Sequence, residues 1–146
     1  MSLQWIVLTF LLIAVGLIDH YKDQSTRDAD SASVDSISRG LLVYRSAASE
    51  FARDNPSFTG SPDEDDLNLP GWYSKPTGVT AFVAAGQSFT YYTGNAAAGL
   101  PAELVKTTRS GVVGVNRSGF LMSPSAGQTG ISIPAAVPDG AVVAVN

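Results

Sequence analysis

Two hydrophobic patterns occupy the first third of the chain. From Leu3 to Ile18 it reads LQWIVLTFLLIAVGLI, with no charge and only Gln4 and Thr9 polar, and Asp19-His20-Tyr21-Lys22-Asp23 ends the run. An uncharged apolar run of this kind predicts a membrane helix. Counted from Met1, it gives roughly 27 Å of helix against a hydrocarbon core of about 30 Å, so spanning requires the bilayer to thin or flanking residues to snorkel. Trp5 and Tyr21 suit the two interfaces. A polar stretch, Lys22 to Ser33, separates this run from a second pattern: Val34, Ile37, Leu41, Tyr44, Ala48 and Phe51, spaced 3-4-3-4-3. That spacing places all six on one face of a helix. Ser33 or Asp30 is suited to cap its start, Arg53 suits the negative C-terminal end, and Asn55-Pro56 terminates it. The stripe is shorter than the three to four heptads of a stable coiled coil, so packing on a sheet is expected over a partner coiled coil. The expected organisation is an anchor (residues 1–21), a polar linker (22–33) and an extramembrane domain (34–146).

Beyond the stripe the pattern turns to short strands. Val79 to Ala85, a Gly86-Gln87 loop, and Ser88 to Thr93 predict a hairpin with a type II′ turn. That turn sets Phe82 opposite Tyr91 and Ala84 opposite Phe89, an aromatic-rich face expected to receive the helix stripe, with Val79, Ala81, Val83 and Tyr92 on the other. A second helix is predicted from Pro101 to Arg109, with proline first, Glu103 early, Lys106 and Arg109 late, and Leu100, Leu104 and Val105 inward. Val112 to Val115, a turn Asn116-Arg117-Ser118-Gly119, and Phe120 to Met122 predict another hairpin, with Gly119 left-handed. Ile131 to Ile133 and Ala141 to Val145 are tail strands, and the polar stretch Pro124 to Gly130 reads as a loop. The fold class is α+β: an N-terminal transmembrane helix, then a long amphipathic helix packed on a small antiparallel sheet with a second short helix.

The anchor is expected to stay uncleaved. A secretory signal would carry Lys or Arg before the apolar run and a small-x-small site after it. A lipoprotein would carry an acylated cysteine, and a type IV prepilin a basic leader, a Gly–aromatic junction and a glutamate soon after. Lys22 and Arg27 follow the helix and no basic residue precedes it, a two-residue bias that by itself favours a cytoplasmic domain.

Composition narrows the chemistry. A formal charge of −4 argues against a nucleic-acid surface, whose affinity rests on clustered Lys and Arg. With no cysteine there is no disulfide, thiol nucleophile or Cys-bound zinc. The one histidine, His20, sits at the membrane edge, so a Ser-His-Asp triad or His-rich metal site would have to be built at the bilayer surface. Neither GxGxxG nor GxxxxGK[ST] occurs. No catalytic residue, cofactor or metal ligand set is expected. Asp63-Glu64-Asp65-Asp66 offers adjacent carboxylates for Mg²⁺ or Ca²⁺, but Ser61, Pro62 and Glu64 fall in the order of an N-cap, first-turn proline and capping-box acid. A short acidic helical turn is the better reading. In Leu67-Asn68-Leu69-Pro70-Gly71-Trp72-Tyr73, Trp72 reads as a plug for the core edge. The sharper alternative makes Trp72 and Tyr73 a partner contact, since exposed aromatics are common binding anchors.

The short N-terminal membrane helix, the long helix containing Tyr44-Arg45-Ser46-Ala47 and ending near Asn55-Pro56, and Leu69-Pro70-Gly71-Trp72-Tyr73 ahead of a small α+β domain together resemble the PilM family of thin, type IVB pilus systems found on conjugative plasmids and genomic islands. The resemblance covers essentially the whole chain and rests on size, layout and scattered residues. It is distinct from the actin-like proteins that share the name in type IVA systems. It implies a single-pass protein of the bacterial inner membrane, held by residues 3–18, with its C-terminal domain in the periplasm, against the Lys/Arg bias. It further implies a non-catalytic component of the basal body or pilin-transport apparatus, contacting other pilus assembly proteins of the inner membrane and periplasm, with a homo-oligomer as an option. A minor pilin or pseudopilin and an envelope hydrolase are the alternatives.

Overall fold

The computed structural model describes the backbone of residues 3–95 and 99–146, and side chains at 6–7, 27–95 and 99–146. The element order is α1 (Leu3–Asp54), a 3-10 turn (Glu64–Asp66), β1 (Val79–Ala84), β2 (Gln87–Tyr92), α2 (Leu100–Thr108), β3 (Val113–Arg117), β4 (Phe120–Ser123), β5 (Gly127–Ser132) and β6 (Val142–Val145). The chain divides into two compact units, Met1–Ser33 and Val34–Asn146.

In the first unit the backbone is helical from Leu3 onward, including the polar stretch 22–33, so neither Asp30 nor Ser33 caps a helix start. That stretch contains no glycine or proline, the two residues that would force a break. Among the described residues no helix is long and apolar enough to cross a membrane. The apolar run 3–18 read as an anchor lies largely outside the described side chains, as do Trp5, His20, Tyr21 and Lys22.

In the second unit, residues 34–54 of α1 carry the predicted stripe. Val34, Leu41, Tyr44 and Ala48 are buried, joined by Ala47 and Ala52, with Ile37 and Phe51 packed against this core. The helix ends where expected. Asn55 donates from both its backbone N–H and its side-chain Nδ2 to the Phe51 carbonyl (2.9 and 3.0 Å), and Pro56 cannot continue the ladder.

The six strands form one antiparallel sheet in the order β1-β2-β6-β3-β4-β5. The last strand therefore lies in the middle. All four residues of β6 are buried, the pattern of a strand covered on both faces.

The first hairpin differs from expectation by one residue in its loop. Ala85 and Gly86 form the turn, with φ of 51° and 75°, and two positive φ values make a type I′ rather than a type II′ turn. Phe82 consequently faces Phe89, and Ala84 faces Gln87. The two-residue change of register keeps the same side chains together on each face. Which face receives the helix is the reverse of the expectation. Val79, Ala81, Tyr92, Val113, Val142 and Ala144 pack beneath α1 and α2. The aromatic face, with Phe89 and Tyr91 buried and Phe82 alongside, packs instead with Leu121, Val143 and Val145 under the tail residues Ile133, Val137 and Ala141. Apart from Tyr92 the side chains of the first face are small, and Val79, Ala81, Val113, Val142 and Ala144 leave room for Leu41 and Tyr44, both fully buried there.

Helix α2 is closed by Arg109 in the left-handed conformation, φ 51°. The β3–β4 loop is Ser118-Gly119, again with two positive φ values, and is tighter than the four-residue turn expected. Residues 127–130, expected as loop, belong to β5, an edge strand with an irregular register against β4.

Candidate functional site

The segment between α1 and β1 is tied to the helix along its length. Leu67 is buried and Leu69 and Tyr73 pack against the same core. Tyr73 donates its hydroxyl to the Gly40 carbonyl (2.8 Å), and its ring lies 6.5 Å from that of Tyr44. Pro76 sits so close to Gly40 that an added Cβ there would meet Pro76 Cδ at 2.8 Å. Glycine at position 40 is what allows this approach.

Between the tethers the chain turns sharply. The Tyr73 N–H donates to the Pro70 carbonyl (2.8 Å), leaving Gly71 and Trp72 at the tip of a turn. Trp72 is 77% exposed and meets Tyr73 edge-on at 6.5 Å. It does not plug the core edge, and Tyr73 takes that place. The two aromatics named together from the sequence are thus adjacent but divided in role, one gripping α1 and the other projecting into solvent.

The same segment carries a run of charges, Asp63 to Asp66 and Lys75. The 3-10 turn Glu64–Asp66 confirms a short acidic turn, but it is preceded by Asp63, with no side-chain cap, rather than by a Ser61 capping box. Lys75 pairs with Glu64 and lies 5.6 Å from the centre of the Tyr44 ring. Asp63, Asp65 and Asp66 are exposed and enter no ion pair among the described residues. Of the acids in this segment, Glu64 and Asp63 act on the tyrosines. Burial, then Glu64 and Asp63, raises the Tyr44 hydroxyl above its ordinary range. Burial, then Tyr44 and Glu64, pushes Tyr73 up to about 12. Among the described residues no three His, Asp or Glu side chains converge to hold a metal ion.

Two grooves lie elsewhere on the surface. A polar groove of about 520 Å³ runs beside α1 from Leu42 to Asp54 and reaches Asn146. Its two arginines, Arg45 and Arg53, are matched by Glu50 and Asp54, so its charge selects no ionic ligand. Arg45 donates from Nη2 to the Val145 carbonyl (2.6 Å), clamping the helix to the end of β6, and burial lowers its pKa. The sequence signal for that clamp was a lone arginine beside the helix stripe, which periodicity alone assigns to solvent. A second groove of about 590 Å³ runs between the start of α2 and β4, where Met122 is partly exposed.

The structure defines an α+β protein whose sheet is carried on the C-terminal part of a long N-terminal helix and which presents one aromatic on a braced turn. The chain belongs to the PilM family, whose model matches residues 9–145, and is with it a component of pilus biogenesis. A solved structure described as a pilM protein from Pseudomonas aeruginosa 2192 is 42% identical, with 77% of this chain and 92% of that one covered and a TM-score of 0.50. A second, described as PilM from Escherichia coli B7A, is 18% identical, with 80% and 93% covered and a TM-score of 0.60, a likeness of fold. A search of curated proteins returned no match.

Proposed function

We propose that this chain is a non-catalytic component of a type IVB pilus assembly apparatus, tethered to the inner membrane through residues 3–18 and working through protein contacts in the periplasm. The observation that carries the reading is Trp72, a large apolar side chain 77% exposed on a turn braced by Tyr73 and Pro76. A rigidly presented tryptophan loses little freedom on binding, and such residues dominate interface energies. The contact is with other assembly proteins of the inner membrane and periplasm.

Deleting the gene is expected to abolish piliation, and restoring it with Trp72→Ala is expected to leave normal protein levels with few or no pili. Removing residues 1–21 is expected to release a domain that no longer supports assembly. Piliation that survives deletion overturns the role. A filament subunit of the minor pilin or pseudopilin kind is the second reading, favoured by the apolar run from Leu3 to Ile18 ahead of a helix-and-sheet domain. Intact mass of the mature protein separates the two, because a pilin precursor is shortened by its peptidase.

A further inference from the structure

We infer that the Trp72 turn docks a basic segment of a partner protein, one carrying Lys or Arg side chains that reach the neighbouring carboxylates while their stems or guanidinium planes lie on the indole. This rests on the reading of Trp72 as a contact residue and adds the chemistry of what it contacts.

Charge complementarity argues the partner's class. Between residues 63 and 75 there are four acids, Asp63, Glu64, Asp65 and Asp66, and one base, Lys75. The resulting −3 is most of the −4 carried by the whole chain. Lys75, the one base of this segment, is already occupied, pairing with Glu64 and lying over Tyr44. The remaining three carboxylates are exposed and without ion pairs among the described residues. The acidic segment is tied to the Trp72 turn through Lys75, which pairs with Glu64 and lies 5.6 Å from the centre of the Tyr44 ring; the Tyr44 ring lies 6.5 Å from that of Tyr73, and the Tyr73 ring 6.5 Å from that of Trp72. Tryptophan is the strongest aromatic partner for a cation, and Arg is the commonest cation to use it. Acids on the segment that leads into such a ring raise encounter rates with a basic segment and disfavour an acidic one.

The same charges argue against the other occupants. An anionic lipid surface attracts basic, not acidic, protein segments, so the turn is not a membrane foot. A second copy of this chain would bring an identical negative patch to a twofold contact, which like charges oppose.

The test uses the full chain in pilus-producing cells, with Gly71, exposed beside Trp72 at the turn tip and with open space around it, replaced by the photoreactive aromatic p-benzoylphenylalanine and the crosslinked segment mapped by mass spectrometry. The expected result is an adduct to a pilus protein at a segment rich in Lys or Arg. Combining Asp63→Asn, Asp65→Asn and Asp66→Asn is expected to lower its yield by about threefold or more, since close charges steer encounter and hold register. These aspartates are exposed, and circular dichroism of the purified variant checks that the fold is kept. An adduct at a segment without basic residues, or a yield indifferent to the Asp→Asn changes, overturns the basic partner and leaves the contact role standing. Adducts to lipid alone, or no adduct from a folded and membrane-located protein, overturn the contact role and the basic partner together.

Discussion

The two faces of the sheet are both apolar and both buried, yet one accepts a helix and the other is closed by irregular chain. Under α1 and α2 the sheet offers Tyr92 and, around it, the smaller Val79, Ala81, Val113, Val142 and Ala144. On the opposite face it offers Phe89, Tyr91, Leu121, Val143 and Val145. The difference is size. A helix brings its own large side chains, here Leu41 and Tyr44, and these need depth that small strand residues supply. The aromatic face already projects far from the sheet, so Ile133, Val137 and Ala141 suffice to cover it. Hydrophobicity identifies a buried face, while side-chain volume selects its cover.

The contrast predicts opposite sensitivities. Removing bulk is most damaging on the aromatic face: Phe89→Ala is expected to cost about 3–5 kcal/mol, the usual range for emptying a buried aromatic site. Adding bulk is damaging on the helix face, where Ala144→Leu is expected to cost about 1–3 kcal/mol through overpacking against α1 and α2. Both are read from urea unfolding of the full chain in detergent. If Ala144→Leu is accommodated without loss, the helix face is not filled and the volume argument is wrong.

The segment 67–76 extends the helix face and is sensitive at smaller scale. Tyr73→Phe removes the hydroxyl donated to Gly40 and is expected to cost about 0.5–1.5 kcal/mol. The Tyr73 hydroxyl also sets an alkaline limit. Its pKa in the fold, about 12, lies above the ordinary value of 10.0, so the folded state holds the proton that the unfolded chain releases. That contribution is fully present below the unfolded value and is lost as pH rises from the ordinary tyrosine range through the folded one. Stability is expected to fall across that window, and Tyr73→Phe is expected to make the fall shallower. An unchanged slope would mean that Tyr44, Tyr91 or another group governs the alkaline transition.

The sequence made these elements legible to different degrees, for physical reasons. The helix stripe from Val34 to Phe51 was plain because every position on it packs on one core. Glycines marked both hairpins, but a turn's type depends on the residues that accept positive φ beside them. Ala85 and Ser118 do so here, shortening or shifting each loop. The start of β5 was hidden because Gly127, Gln128 and Thr129 form an exposed edge that needs no apolar alternation. The helical backbone of 22–33 was hidden by its serines and aspartates, which favour caps and turns but do not forbid helix. Trp72 and Tyr73 were legible as a pair worth attention. Their division of labour was not, since Leu-x-Leu-Pro-Gly-Trp-Tyr gives no periodicity from which to tell the inward aromatic from the outward one.

That division supplies the smallest expected effect on stability and the sharpest separation of folding from function. Trp72 is at the turn tip and 77% exposed, so its removal leaves the core, the Tyr73–Gly40 hydrogen bond and the Pro76–Gly40 approach intact. Trp72→Ala is expected to change stability by no more than about 0.5 kcal/mol, the range for surface positions away from packed features. Tyr73, one residue on, follows the rules of the helix face. Unfolding curves of Trp72→Ala and Tyr73→Phe, measured side by side with pilus counts from the same strains, therefore separate the two roles. Trp72→Ala is expected to lose pili at full stability, and Tyr73→Phe to lose stability while retaining pili where the protein remains folded. If Trp72→Ala instead unfolds the domain, the tryptophan belongs to the core and the turn is not a contact.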